Sequence, residues 1–250
     1  MQKRYALAMT DIELLPVILK FISSLFKKHP EPVSAETLRS VLMDYISPEV
    51  SKIGLEWNGK NQWIGPSENG IRKVLKHQVG KGLMGTFIWG MCYDFLPMVS
   101  GKRIVLQRTF KSARPQLFQS SATTDNFLNK KSDLENGVTS TWGEKECRKS
   151  ISKLFDKRKI EIFEWLEKGK TIDGSIEIAK SQFDDKVYNT HWPNPKYVAS
   201  FLFAKTGDRT KGMEMLMDIE KERPSFEPEV FEKLKKKITG TIKNYRQHGV

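Results

Sequence analysis

Residues 86–96 read TFIWGMCYDFL, and their alternation sets the fold class. Phe87, Trp89, Met91, Tyr93 and Phe95 fall on one side at period two, and Thr86, Ile88, Gly90, Cys92 and Asp94 on the other. A bulky face behind a small one suits a central β-strand with a helix packed on one side. Upstream, Ile53, Leu55 and Trp57 alternate with Gly54, Glu56 and Asn58. The polar turn Asn58-Gly59-Lys60-Asn61 then leads into Gln62-Trp63-Ile64, which is a hairpin signal. The spacing of Ile71, Val74 and Leu75 predicts a short helix over 69–77. Further strands are expected at 102–108, entered through Ser100-Gly101, and at 115–119.

Both flanks of this region are helical in pattern. Over 10–28, Ile12, Leu15, Ile18, Leu19 and Ile22 share a side, with Asp11 near the start and Lys27 and Lys28 in the last turn. The apolar run is broken by Glu13, Pro16 and Lys20, is too short for a bilayer, and has no small-residue cleavage site after it. It reads as an amphipathic helix on the body of the protein. Ser34 is placed to cap a second helix over 35–46, where Leu38, Val41, Leu42 and Tyr45 recur at helical spacing. Residues 121–143 are rich in Ser, Thr, Asn and Asp and lack periodicity, as a linker or long loop does. After Glu144 the pattern is helical, with breaks at Gly169, His191–Pro195, Gly207 and Pro224. The expected architecture is therefore α+β: N-terminal helices packed on a mostly antiparallel sheet within 1–120, then an all-helical hairpin region over 144–250.

A weak internal repeat runs through the helical half. Trp165-Leu166-Glu167-Lys168-Gly169 aligns with Phe203-Ala204-Lys205-Thr206-Gly207, and Gly174 then aligns with Gly212. In each copy an aromatic precedes a helix-ending Gly, and a second Gly lets two helices approach closely. Residues 195–224 are similar in architecture to a tetratricopeptide-type hairpin, with Phe203, Gly207, Gly212, Leu216, Ile219 and Pro224 at the corresponding places.

Composition narrows the function classes. The chain has 250 residues, 38% hydrophobic and 29% charged, with 14 Phe, 6 Trp and 6 Tyr, so it is long enough to bury a core without staples. Cys92 and Cys147 are the only cysteines and have no companion ligands at zinc spacing. A reduced, cytoplasmic setting without membrane attachment is expected, and no metal or cofactor. The four histidines (His29, His77, His191 and His248) lie far apart and follow no nucleophile turn. Gly80, Gly82 and Gly85 read Gly-x-Gly-x-x-Gly but precede a strand, whereas a dinucleotide fingerprint follows one. A metal-dependent nuclease could be assembled from Asp94, Glu56 and Lys60 or Lys102, although their spacing matches no specific pattern. No catalytic residue is assigned, and a non-enzymatic role is expected.

The charge is the better lead. The net charge is +12, and residues 51–120 hold 11 basic against 3 acidic side chains, two-thirds of the surplus. That stretch interleaves Trp57, Trp63, Trp89, Phe110 and Phe118 with cations, the mixture that neutralises phosphates and stacks on bases. The candidate nucleic-acid-binding residues are Arg72, Lys73, Lys76, Lys81, Lys102, Arg103, Arg108, Lys111 and Arg114, expected to form one positive face. Gly54-Leu55-Glu56-Trp57, Gly59, Trp63, Gly70-Ile71-Arg72-Lys73-Val74, Lys81-Gly82, Trp89-Gly90, Phe95-Leu96-Pro97 and Arg108-Thr109 also carry a resemblance. Residues 50–120 resemble a family of bacterial α+β domains of unknown function, which implies a place in immunity or defence and no catalytic residue. The expected function is a binding protein whose basic part engages an anionic partner, nucleic acid by preference, while the helical part docks on another protein. The alternatives are an immunity-type module masking a toxin, with an acidic protein surface as partner, and then a metal-dependent nuclease.

Overall fold

The computed structural model describes residues 31–80, 84–122, 136–222 and 226–248, with side chains as far as residue 240. The chain divides at Pro32–Val33, and the sheet and the C-terminal helices both belong to one compact unit, the second. The helix expected over 10–28 lies outside the described residues, as do Lys81, Gly82 and Pro224.

The second unit is α+β. Helix α1 (Ala35–Tyr45) starts where Ser34 accepts a hydrogen bond from the Thr37 amide at 3.0 Å, and it buries Leu38, Val41 and Leu42. A short helix α2 (Ser47–Val50) and a 3₁₀ turn follow, closed by Gly54 in the left-handed region. Strands β1 (Glu56–Trp57) and β2 (Gln62–Ile64) then form the expected hairpin, shorter than the alternation suggests because Ile53 falls in the 3₁₀ turn.

Residues 71–79 form a nine-residue strand, β3 (Ile71–Val79), in place of the expected helix. It pairs along its whole length with β4 (Met84–Tyr93). Ile71, Leu75 and His77 are buried on one face of the sheet and Val74 on the other, so burial on both faces produces the spacing i, i+3, i+4 that mimics a helix. Cross-strand pairing decides between the two readings.

The main sheet runs β1-β2-β3-β4-β7, all antiparallel, with β7 (Leu117–Ser120) beside β4 and β8 (Thr139–Ser140) pairing the start of β4. Strands β5 (Pro97–Ser100) and β6 (Arg103–Leu106) make a separate two-stranded sheet. Phe87, Trp89, Met91 and Tyr93 point to the helical side, where Phe87 meets Phe155 at 5.7 Å between ring centroids. Phe155 belongs to α3 (Glu144–Gly169).

The helical half continues with α4 (Ile172–Ser181), α5 (Lys186–Asn189), α6 (Pro195–Thr206), α7 (Arg209–Glu222) and α8 (Pro228–His248). Helices α6 and α7 form a hairpin turning at Gly207, whose φ of +96° is left-handed. Phe203, Leu216 and Ile219 are buried in it, and Ser200 and Ala204 lie against Gly212. Of the paired glycines, Gly169 stays helical with Lys170 as its C-cap, so only Gly207 ends a helix by the left-handed device. One apolar cluster joins Trp63, Leu75 and Phe87 of the sheet to Phe155, Tyr197, Leu216 and Leu234 of the helices. Residues on either side of 121–143 thus share a core. No helix among the described residues is long and apolar enough to cross a membrane.

Candidate functional site

The strand register sorts the basic residues by face. Arg72 stands opposite Cys92, Val74 opposite Gly90 and Lys76 opposite Ile88, while β2 sets Gln62 beside Lys76 and Ile64 beside Val74. These side chains share the face turned away from α3. The segment 107–116 folds over part of it. Ala113 is buried there against Ile64, Val74 and Cys92, with Phe110 packed alongside. Gln62 donates from Nε2 to the Ala113 carbonyl at 3.3 Å, and the Gln116 amide donates to the Met91 carbonyl at 2.8 Å. Thr109 and Ser112 lock the turn between them through several mutual hydrogen bonds.

This fold-over brings cations from distant sequence positions together. Arg72 donates from Nε to Asp94 Oδ1 at 3.2 Å and from Nη2 to the Arg108 carbonyl at 2.9 Å, and Arg108 donates from Nε to the Asp94 carbonyl at 3.3 Å. Ser67 holds the other Asp94 oxygen at 2.6 Å. Further along the face, Lys76 donates to Gln78 Oε1 at 3.1 Å, and Arg114 donates from Nη1 to the Ala113 and Lys111 carbonyls at 2.7 and 3.4 Å. Lys76 is half-buried. That burial, and then the Arg114 charge beside it, lowers the ammonium pKa below its ordinary value. Among the described residues no carboxylate forms an ion pair with Lys76, Lys111 or Arg114. The arrangement is a set of cations held in place by neighbouring carbonyl and amide oxygens.

Arg72, Lys76, Arg108, Lys111 and Arg114 therefore gather around one face. Lys73 does not. As a neighbour of Arg72 in a strand it points to the opposite face, where it pairs with Glu167 at 3.0 Å. Lys102 lies in the turn of the β5–β6 hairpin and Arg103 opens β6, and Lys102 pairs with Glu227 at 3.2 Å, on the approach to α8. Lys81 lies outside the described residues. Gln78, which accepts from Lys76, and Gln62 and Gln116, which hold the covering segment, belong to the site too. Gln78 continues the side of β3 that carries Arg72 and Lys76, whereas Gln62 and Gln116 had no comparable signal in the sequence.

The other titratable candidates lie apart. Asp94 is engaged by Arg72 and Ser67, whereas Glu56 is on β1 in register with Gly90, so about 14 Å across the sheet and four residues along it separate the two. His77 is buried on the helical face, with Nε2 at 2.9 Å from Thr139 Oγ1 and its ring edge-on to Phe87. Burial pushes its pKa down to about 4. Cys92 is buried under the covering segment, and burial raises its thiol to about 11, so it is not a poised nucleophile. His191 lies against Phe118 of β7. Among the described residues no three His, Cys, Asp or Glu side chains cluster as metal ligands. No protein-family model, curated protein or solved structure matches the chain.

Proposed function

We propose that the sheet face carrying Arg72, Lys76, Arg108, Lys111 and Arg114 binds an anionic partner, and that the partner is nucleic acid. One observation carries this reading: Lys76 stands in register with Gln62, which shares the Ala113 carbonyl with Arg114, so the two cations lie near each other, Lys76 half-buried, with no ion pair to a carboxylate among the described residues. Like charges placed together with partial desolvation destabilise a folded protein unless an anion offsets them. A phosphate backbone offers such charges in a row. Duplex binding through about four phosphates gives a log–log salt slope near −3.6, and single-strand binding about −2.8.

The test is a gel-shift titration on RNA and DNA across a salt series. Replacing Lys76 and Arg114 with Gln is expected to weaken binding and to reduce the slope by roughly one for each phosphate no longer neutralised. Lys73→Gln, on the opposite face, is the control and leaves both unchanged. Binding that the double variant does not weaken, or no binding at low salt, refutes the proposal. The latter outcome favours an acidic protein surface as the partner.

A further inference from the structure

A second feature adjoins the basic face at its β7 edge. Phe118 stands opposite Gly90, itself opposite Val74, so its ring lies on the same face as Lys76. Gly90 is required there, because a Cβ at that position would sit 2.3 Å from the Leu117 carbonyl oxygen. The Phe118 ring meets Tyr188 and His191 edge-on, at centroid distances of 5.7 and 5.3 Å. His191 opens into a cleft of about 520 Å³ lined also by Lys186, Asn189, Trp192, Lys196 and Glu222.

Two properties of this cleft point to a ligand. The Trp192 ring is held by Tyr197 at 4.6 Å and by Phe226 at 5.4 Å, yet the residue is 41% exposed. An indole fixed by its neighbours and open to solvent is a ready stacking surface with little ordering cost. The polar groups are also unevenly matched. Glu222 neutralises Lys196 at 2.8 Å, and Asp185 is engaged in capping α5 through the Val187 amide. Lys186 is exposed, without an ion pair among the described residues.

We infer that this cleft takes an unstacked base of a single-stranded nucleic acid whose phosphates lie along Lys76 and Arg114. The inference rests on the proposed nucleic-acid reading of that face and adds the substrate class. From Lys76 through Ile88 to Ser120 the register crosses two strand spacings, about 10 Å. That is roughly three steps of a stacked strand at 3.4 Å each. The aromatic path Phe118–His191–Trp192 begins at that edge. A base inside a duplex is paired and stacked on both sides and cannot enter such a cleft without being extruded, whereas a single strand offers its bases freely.

The experiment is fluorescence anisotropy at low salt with one short fluorescein-labelled DNA oligonucleotide, single-stranded and annealed to its complement. Single strand is expected to bind more tightly than duplex. Trp192→Ala weakens single-strand binding about tenfold, one base stack, and leaves duplex binding unchanged, while Trp192→Phe retains most of the affinity. Lys186→Gln, at a solvated position that does not threaten folding, weakens the single-strand complex and reduces its salt slope by about 0.7. Duplex bound as tightly as single strand, with no effect of the Trp192 and Lys186 changes, overturns this inference. If the Lys76 and Arg114 variant still weakens both probes in that case, the broader reading stands. If neither probe binds, the broader reading fails as well.

Discussion

Gly212 tests how the helical half is held together. A Cβ at that position would sit 2.5 Å from the Ser200 carbonyl oxygen and 3.2 Å from the Ala204 amide nitrogen. Both are backbone atoms of α6, so no side-chain rotation relieves the clash. Restoring about 3.4 Å requires α7 to move about 0.9 Å from α6, and that movement loosens the packing of the buried Leu216 and Ile219. Overpacking of this kind costs about 1–3 kcal/mol. Gly→Ala within a helix returns up to about 1 kcal/mol of helix propensity. Gly212→Ala is therefore expected to destabilise by roughly 0–2 kcal/mol, and Gly212→Leu by more. Gly240→Ala is the internal reference, because nothing lies within 4 Å of its added Cβ on α8, and only the propensity gain remains. Urea unfolding of the three variants measures the differences directly. On melting, each kcal/mol corresponds to about 2–4 °C for a chain of this size. If Gly212→Ala and Gly240→Ala shift stability equally, the close approach of α6 and α7 does not exist.

Two further outcomes follow from groups around the sheet. His77 is neutral when folded because burial lowers its pKa to about 4, while the unfolded chain protonates near 6.5, so stability is full above pH 6.5 and is lost as pH falls towards 4, by roughly 3 kcal/mol. Urea midpoints at pH 7.5 and 4.5 read this loss; His77→Gln flattens the acid limb, and an unchanged limb refutes the assignment. Asp94→Asn keeps a hydrogen-bond acceptor for Arg72 while removing the carboxylate charge, so it raises the positive charge of the face. Nucleic-acid affinity should rise two- to threefold with a steeper salt slope; weaker binding at unchanged stability would place Asp94 in the site itself.

The parts of the fold readable from sequence are those where one face of an element is buried or where backbone geometry demands a residue. The alternating run around Trp89 and the glycines at 207 and 212 are of this kind. Strand β3 was not readable, because a sheet covered on both sides hides its period of two. The consequence reaches the site. With 69–77 taken as a helix, Arg72, Lys73 and Lys76 fall within about 100° of one another and share a single face. In a strand, one residue of offset sends Lys73 to Glu167 and leaves Arg72 and Lys76 together. The concentration of charge in 51–120 was visible in composition, but the path of 107–116 back across the sheet was not. Neither was the meeting of Phe118 with His191, which joins residues more than 70 positions apart in sequence.

The core shared between the sheet and the late helices also bears on the order in which the chain can assemble. The β3–β4 and α6–α7 pairs each join segments adjacent in sequence, with little loop-closure entropy to overcome, so each can nucleate alone. Docking Phe155 on Phe87, or Tyr197 on the Pro97 carbonyl, closes loops of 68 and 100 residues. Those closures come late by the same entropy. The Phe118–His191 pairing spans a comparable separation, so the basic surface and the aromatic cleft are set beside each other only by a long-range closure of the same kind. A chain released before that closure would carry both features without the path that joins them.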